Sequence, residues 1–449
     1  MENKRERNNV SVGFISLGCP KNQVDTELML EKLVDAGYNI ETDAGKCDVV
    51  IINTCGFISD AKRESIEAIL DVASLREGGN KPYIVVTGCM SERYKSEIKD
   101  SMPETDAVLG LGANGDIVKV VDKVANGEKL ESYPDKLNLP LTGERILTTP
   151  SYWAYLKISE GCSNNCAFCA IPKIRGKYRS RKMEDILEEA NRLADSGVKE
   201  LILIAQDTSM YGRDIYGGFK LPELLRNLGK IDGIKWIRFL YCYPERINSE
   251  LLKTMAEEPK VCKYLDIPLQ HADGNVLASM NRPGDRKTFE DLIFKIREAV
   301  PEMNIRTTLM TGFPGETDEQ FEELAEFVKN TGFDNMGCFA YSPEEDTAAA
   351  SMENQVDEDV KLHRQELIME LQYGVVEKKN DARLGKVTSV IIDGYSEEHE
   401  MYVGRTQWQV PEIDPVVFIE YDEPLSAGDF VTVEIIDYEG YDLLGRMYE

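Results

Sequence analysis

The sequence predicts an α/β protein: an N-terminal domain built on a parallel sheet, then a partial six-strand barrel, then a small C-terminal β-barrel. Strand-like and helix-like stretches alternate over residues 10–125 and again over residues 154–340. Such alternation is typical of parallel sheets with helices on their faces. Short β-rich runs separated by turn residues follow residue 381 and predict the small barrel.

Composition narrows the class of function. The 449 residues carry a formal net charge of -28, which argues against broad nucleic-acid binding because that needs a basic surface. The charge favours a basic protein partner, or serves solubility alone. We find no apolar run long enough to span a membrane and no signal-peptide core in residues 1–9. We therefore expect a cytoplasmic protein whose ten cysteines stay reduced and available to metal.

Three strand–helix units make up the predicted N-terminal domain. Its strands are expected at residues 12–17, 48–52 and 83–87, and its helices at residues 25–36, 60–75 and 92–99. Residues 134–150 are rich in Pro, Leu and Thr and have no clear period, so they predict a linker to the next domain.

One cysteine follows each of these strands: Cys19, Cys55 and Cys89. Because the carboxyl ends of parallel strands share one edge of a sheet, we expect the three thiols to converge. Convergence predicts an iron–sulfur cluster with three protein ligands and one open iron. The alternative is chance placement of small apolar residues. Cys47 precedes its strand, so we expect it at the opposite edge as a structural residue.

The second domain is predicted to contain six strands, at residues 154–158, 200–204, 236–241, 264–269, 305–310 and 335–340. Clear helical patterns cover residues 183–195, 221–228, 288–300 and 318–329. Right-handed crossovers would roll these strands into a partial barrel, whose functional groups lie at the carboxyl ends of the strands. Cys242, Cys262 and Cys338 lie within or beside apolar strands and are expected in the core.

A CxxxCxxC motif follows the first barrel strand and is formed by Cys162, Cys166 and Cys169. Three thiolates are one fewer than a closed zinc site or a fully ligated iron–sulfur cluster needs. A four-iron cluster held this way keeps one iron open for a substrate or cofactor. Phe168 is placed to cover such a cluster from water. A zinc knuckle with its fourth ligand elsewhere, or simple burial, are the alternatives.

Polar residues end other barrel strands. Gln206 ends strand two, Tyr243 strand three, and Gln270 and His271 strand four. Gln206 and Gln270 are candidate contacts to a cofactor, or simple caps of their strands, and His271 is expected to make structural hydrogen bonds. The basic stretch 173–182 either binds an acidic group or forms a solvated loop.

The tail begins with a helix predicted at residues 357–379. Four β-rich runs follow, at residues 387–392, 400–403, 416–419 and 430–436. Residues 381–449 contain sixteen Asp or Glu and four Lys or Arg, a net charge of -12. A small β-barrel with this charge should repel RNA.

Several strings resemble the radical S-adenosylmethionine (SAM) methylthiotransferases: SLGCPKN at 16–22, NTCGF at 53–57, TGC at 87–89 and FCAIPKIRGKYRSR at 168–181. The resemblance covers nearly the whole chain. It implies a methylthiotransferase N-terminal domain at 10–130, a TIM-like radical-SAM barrel at 148–376 and a TRAM domain at 379–449. One departure concerns strand two, where Ala205-Gln206-Asp207 stands in place of a common Gly-Glu.

The resemblance also implies cofactors and partners. A 4Fe-4S cluster on Cys162, Cys166 and Cys169 would bind SAM and yield a 5′-deoxyadenosyl radical, and a second cluster on the first three cysteines would present a methylated sulfur. The strings are most similar to the branch that modifies the β-carbon of an aspartate in the decoding-centre protein of the small ribosomal subunit. The alternative branch modifies adenosine in transfer RNA. A flavodoxin or ferredoxin is the expected electron donor, and no catalytic acid or base is expected.

Overall fold

The computed structural model describes residues 7–76, 79 and 81–448. Residues 1–6, part of the segment searched for a signal-peptide core, lie outside the described residues, as does Glu449 at the end of the expected third domain. In the part of the chain that is described, no helix combines the length and apolar character needed to cross a bilayer.

The N-terminal sheet has six parallel strands in the order β2-β1-β3-β4-β5-β6. They are β1 Ser11–Ser16, β2 Asn39–Ile40, β3 Val49–Thr54, β4 Tyr83–Gly88, β5 Ala107–Leu109 and β6 Leu130–Ser132. The helices are α1 Pro20–Ala36, α2 Ser59–Ser74, α3 Cys89–Arg93, α4 Lys95–Ser101 and α5 Ile117–Ala125. The Val and Ile runs of β3 and β4 are buried because apolar clusters cover both faces of the sheet.

Several predictions for this domain were wrong in detail. α1 begins at Pro20 rather than at residue 25, because proline suits the first turn, where its missing N–H has no partner to lose. The predicted helix 92–99 is two helices, α3 and α4, which are separated at Tyr94. β2, β5 and β6 were not predicted, since strands of two or three residues are too short to show a period. The helix α5 was not predicted either.

Six parallel strands form the partial barrel, as predicted. They lie in two sheets, β11-β10-β7 and β12-β13-β14, which an isolated parallel bridge between Ile237 and Val261 joins. The short pair β8 and β9 lies beside the cysteine motif. The bounds are β7 Trp153–Lys157, β8 Ser159–Glu160, β9 Arg179–Ser180, β10 Glu200–Ile204, β11 Trp236–Phe239, β12 Tyr264–Gln270, β13 Asn304–Thr311 and β14 Asn335–Ala340.

The barrel helices are α6 Ile171–Arg175, α7 Met183–Asp195, α8 Arg213–Tyr216, α9 Leu221–Leu228, α10 Ser249–Glu257, α11 Gly274–Ser279, α12 Arg286–Ala299 and α13 Asp318–Thr331. α7 and α9 have the predicted bounds. α10 was not predicted, although its sequence carries a start signal: Asn248 caps it by accepting the N–H of Leu251 at 2.9 Å.

The C-terminal part follows α14 Glu358–Asp381. Its strands are β15 Val387–Ser396, β16 Met401–Thr406, β17 Val417–Glu420, β18 Phe430–Glu439 and β19 Asp442–Met447. They close into a barrel in the order β15-β16-β17-β19-β18. β19 was not predicted because Gly445 and Arg446 interrupt its apolar pattern.

The small barrel packs against the N-terminal ends of the large barrel's strands. Glu200, the first residue of β10, accepts from Arg405 at 2.8 Å. Tyr264, the first residue of β12, donates to Asp414 at 2.6 Å. The small barrel therefore lies at the end opposite to the carboxyl ends of the strands, where such barrels bind ligands.

α1 packs along β7, at one edge of the large barrel. Its Val24 and Leu28 join an apolar cluster with Tyr155 and Ile202 of the barrel strands. This packing brings the N-terminal domain, and the loop that precedes α1, against the barrel.

Candidate functional site

The three cysteines of the N-terminal domain follow adjacent strands at the carboxyl edge of the sheet. Cys19 immediately precedes α1, Cys55 follows β3, and Cys89 begins α3 directly after β4. Gly18 has φ +87°, and a Cβ there would lie 2.8 Å from Cys55 Sγ. The glycine thus allows the Cys19 loop to rest on Cys55.

Asn22 ties these loops together. Its Nδ2 donates to the carbonyl oxygens of Leu17 and Thr54, both at 3.0 Å. Its Oδ1 accepts from Arg175 Nη2 at 2.6 Å and lies 3.9 Å from the Cys89 sulfur. Because both ends of the amide are engaged, Asn22 holds the loops in one arrangement.

The three thiols differ in their electrostatic surroundings. Burial disfavours the thiolate of Cys19, but Lys21 and Arg175 outweigh it and lower the pKa of Cys19. Burial raises the pKa of Cys55, and it raises the pKa of Cys89 to about 12 despite the opposing charge of Arg175. The thiolate is the form that binds metal, so Cys19 is the thiol of this group that ionises most readily.

The CxxxCxxC loop connects β8 to α6. The Cys169 N–H donates to the Cys166 carbonyl at 3.1 Å and closes a turn. Gly161 precedes Cys162 with φ +76°, and a Cβ there would lie 2.4 Å from the Lys177 carbonyl oxygen. Burial raises the pKa of Cys162 to about 11 and of Cys169 to about 12.

Tyr243 and Arg282 face Cys166. The Tyr243 hydroxyl lies 3.0 Å from Cys166 Sγ, and Arg282 Nη1 lies 3.9 Å from the same sulfur. The Arg282 guanidinium also lies 4.1 Å from the centroid of the Tyr243 ring. Arg282 was not predicted, because it follows α11 in a loop without a recognisable motif.

Arg175, which follows the CxxxCxxC motif, contacts the N-terminal group of cysteines. Its Nε donates to Cys89 Sγ at 3.3 Å, and its Nη1 pairs with Asp25 at 2.9 Å and Glu160 at 3.1 Å. Lys157 pairs with the same two carboxylates. All four charged side chains are buried, and together we call them the Arg175 network.

The basic stretch 173–182 is therefore not a uniform solvated loop. Arg175 and Arg181 are buried and paired with carboxylates of the protein itself, whereas Lys177 is exposed. Cys89 also packs against Ala170, which follows Cys169. The two groups of cysteines thus lie in loops that touch each other.

The predicted cofactor contacts lie at the same end of the barrel. Gln206 Nε2 donates to Glu160 at 2.9 Å, while its Oε1 is buried without a partner. Gln270 ends β12 in a buried position with φ +73°, a conformation unusual for glutamine. His271 accepts a backbone N–H at Nδ1 and has Nε2 3.3 Å from Glu316, in a wholly buried, structural position.

Lys21 and Tyr241 meet at the junction of the two domains. The Lys21 side chain is buried, and its Nζ lies 3.8 Å from the centroid of the Tyr241 ring. Tyr241 follows β11 with φ +62°. Sequence patterns could not pair these residues, because they belong to different domains and neither continues a periodic pattern.

The donor set of each cysteine group consists of three thiols. Within the described ranges, no three His, Cys, Asp or Glu side chains are arranged to hold one metal ion. Each group nevertheless offers three free thiols and a neighbouring guanidinium, from Arg175 or Arg282. Iron–sulfur clusters are held by thiolates, and positive neighbours favour that form. Cys242, Cys262 and Cys338 lie in apolar clusters, as expected, and Cys47 lies in another.

Family models match three stretches of the chain. Residues 11–110 match uncharacterized protein family UPF0004, residues 156–328 match the radical SAM superfamily, and residues 384–447 match the TRAM domain. Among solved structures, the radical S-adenosylmethionine methyltransferase TsrM from Kitasatospora setae is similar, with a TM-score of 0.56 and 12% identity over 76% of this chain and 74% of that one. At this identity the likeness shows the fold alone.

Curated relatives match almost from end to end. The ribosomal protein uS12 methylthiotransferase RimO of Thermoanaerobacter sp. (strain X514) is 50% identical over 97% of this chain and 99% of its own length. The protein of the same name from Clostridioides difficile (strain 630) is 46% identical over 98% of this chain and 99% of its own length. Identity this high over this length shows the family: the chain belongs to the RimO family of ribosomal protein uS12 methylthiotransferases.

Proposed function

We propose that the protein is a radical-SAM methylthiotransferase that adds a methylthio group to the β-carbon of an aspartate in ribosomal protein uS12. The observation that carries the proposal is that Arg175 and Ala170, which follow the CxxxCxxC motif, lie against Cys89 of the other group. Removal of a hydrogen atom and delivery of sulfur must occur at one carbon, so the two centres have to be neighbours.

The proposal assigns one 4Fe-4S cluster to Cys162, Cys166 and Cys169, and a second to Cys19, Cys55 and Cys89. When bound, the first would supply the electron that cleaves SAM into methionine and a 5′-deoxyadenosyl radical, and the second would supply a sulfur whose methyl group comes from another SAM. Gln206 and Gln270 are the proposed SAM contacts, supported by the unpaired Oε1 and the unusual backbone at the barrel's ligand end. A flavodoxin or ferredoxin is the proposed electron donor.

The protein's own part is to orient the reactants and to exclude water. Tyr243 and Arg282 enclose one side of Cys166, and the Arg175 network closes the junction behind Cys89. Exclusion matters because a carbon radical reacts with any hydrogen donor within reach. Hydrogen-atom removal needs no acid or base, so we assign none.

Three functional parts follow, with boundaries near 10–130, 148–376 and 379–449. We place the protein in the cytoplasm with its ribosomal substrate. The substrate is a basic protein, and the chain's net charge of -28 suits it better than it suits a nucleic acid.

The decisive experiment supplies both candidate substrates to one enzyme. Anaerobically reconstituted enzyme, SAM and reductant are incubated with uS12 and, separately, with transfer RNA. We expect mass spectrometry to find one methylthio group on an aspartate of uS12 and none on the RNA. A methylthio group on adenosine with uS12 unchanged would establish the transfer-RNA activity instead.

A further inference from the structure

Lys21 differs from the other buried cations of the protein. Nine lysine and arginine residues in the described part of the chain are buried. Seven of them pair with a carboxylate: Lys157, Arg175, Arg181, Arg238, Lys361, Arg364 and Arg405. An eighth, Arg282, faces the Cys166 sulfur and the carbonyl oxygen of Pro268.

The ninth is Lys21, which is 7% exposed. Its Nζ lies 3.8 Å from the centroid of the Tyr241 ring, and the Cys19 thiol is close enough to interact with it electrostatically. No carboxylate of the described residues lies within ion-pair distance of its Nζ. A buried charge destabilises the fold unless it is paired, and a cation–π contact offsets only part of that cost. The described residues therefore give Lys21 no carboxylate partner, and a carboxylate from a bound ligand would supply one.

The position of Lys21 in the fold indicates which bound carboxylates can reach it. Lys21 is two residues after Cys19 and lies in the first turn of α1. Tyr241 is held at the carboxyl end of β11, where its N–H donates to Asp266 at 2.9 Å and its carbonyl accepts from Thr208 at 3.1 Å. Lys21 thus lies where the sulfur-delivering loop meets the ligand end of the barrel.

We propose that Lys21 binds the side-chain carboxylate of the substrate aspartate and so makes the enzyme specific for that residue. The inference rests on the proposed function. In aspartate the carboxylate is bonded directly to the β-carbon, so an ion pair with Lys21 fixes the reacting carbon beside Cys19. The methionyl carboxylate of SAM offers the same chemistry, and the experiment separates the two sources.

The test measures binding rather than turnover. Reconstituted enzyme without reductant is titrated calorimetrically with a uS12 peptide that contains the target aspartate, with the same peptide carrying Asn there, and with SAM. The variants are Lys21→Met and Lys21→Arg, with exposed Lys287→Met as the control. Iron content and visible absorption confirm that each variant is folded and loaded.

We expect Lys21→Met to lower the affinity for the aspartate peptide about 10- to 100-fold, the effect of losing one charge-assisted hydrogen bond. The asparagine peptide and SAM should change less than about twofold, and Lys21→Arg should recover part of the affinity. If only the affinity for SAM falls, Lys21 binds the methionyl carboxylate of SAM, and the proposal that it binds the substrate aspartate is wrong.

Two other results would overturn the proposal altogether. One is an equal loss of affinity for both peptides. The other is unchanged affinity for every ligand together with a shifted cluster absorption spectrum, which would indicate that Lys21 interacts with the cluster. If the proposed function is wrong and uS12 is not the substrate, the binding results differ from all of these. The parent enzyme would then bind neither peptide, while the SAM titration would still report on Lys21.

Discussion

Arg175 donates from Nε to the sulfur of Cys89 at 3.3 Å, across the boundary between the barrel and the N-terminal domain. The same guanidinium pairs with Asp25 in α1 and with Glu160 in β8. A single side chain therefore contacts a predicted cluster ligand and holds the two domains together.

Replacement of Arg175 by Met should destabilise the protein by about 3–5 kcal/mol, because it leaves Asp25 and Glu160 buried with only Lys157 to balance them. Arg175→Lys should cost less, since it keeps the charge but loses the forked geometry. Anaerobic urea unfolding of the two variants measures both effects. An unchanged unfolding midpoint for Arg175→Met would show that the network does not stabilise the fold.

Anaerobic reconstitution should yield about eight irons per chain, at four per cluster. Changing Cys162, Cys166 and Cys169 together to Ala should leave about half of that iron, because the other group of thiols lies in a separate domain. Cys47→Ala is the matched control and should keep all of it, since Cys47 Sγ faces the carbonyl oxygens of Glu41 and Asp43. Full iron content in the triple variant would refute the assignment.

Replacing the two groups of cysteines should affect different steps of the reaction. Cys162→Ala should abolish reductive cleavage of SAM, because the proposal assigns the iron that would bind SAM to that group. Replacement of Cys19, Cys55 and Cys89 should stop methylthiolation while 5′-deoxyadenosine still forms. Chromatography of the nucleoside product distinguishes these outcomes. Undiminished 5′-deoxyadenosine from Cys162→Ala would contradict this division.

The contact of Glu345 in the barrel with the N-terminal domain should depend on pH. Tyr94 and Lys62 donate to it at 2.6 and 2.9 Å, and these bonds lower the pKa of Glu345 from 4.5 to about 2. Because the folded-state pKa is the lower one, this contribution to stability is complete above about pH 4.5 and is lost as the pH falls toward 2.

Glu345→Gln should therefore lower the thermal midpoint slightly near pH 7, with a cost below about 1 kcal/mol because the carboxylate is largely exposed. The difference between parent and variant should shrink as the pH is lowered toward about 3. Melting curves across this range measure it. A difference that grows in acid would show that another group controls the contact.

The acidic tail should steer a basic substrate. Glu397, Glu398, Glu420, Asp422 and Glu439 are all exposed, and their field extends over a Debye length of about 8 Å at physiological ionic strength. Reversal of these acids to Lys should slow association with uS12 and flatten its salt dependence, while SAM cleavage without substrate stays unchanged. Stopped-flow association across a salt series tests this. Equal rates for parent and variant at low salt would leave the tail a role in solubility alone.

Local patterns in the sequence were sufficient to predict three strands of the N-terminal sheet and the six strands of the partial barrel. Strand periodicity shows where each strand ends, and Cys19, Cys55 and Cys89 follow those ends directly. The same patterns could not predict the burial of Arg175, because its partners Asp25, Cys89 and Glu160 come from three separate segments. They also gave no sign that the small barrel packs at the end of the large barrel remote from the cysteines, since that depends on pairs such as Glu200 with Arg405.

The Arg175 network also limits how related enzymes can be recombined. Asp25 comes from the N-terminal domain, whereas Lys157, Glu160 and Arg175 come from the barrel. A hybrid that takes its N-terminal domain from a protein with an apolar side chain in place of Asp25 would bury two cations against one carboxylate, at a cost of several kcal/mol. The interface between the N-terminal domain and the barrel would be destabilised in the hybrid even if both parent proteins were stable. Asp25 and its barrel partners are therefore expected to be inherited together, and a crossover in the linker yields a working enzyme only when both sides of the network match.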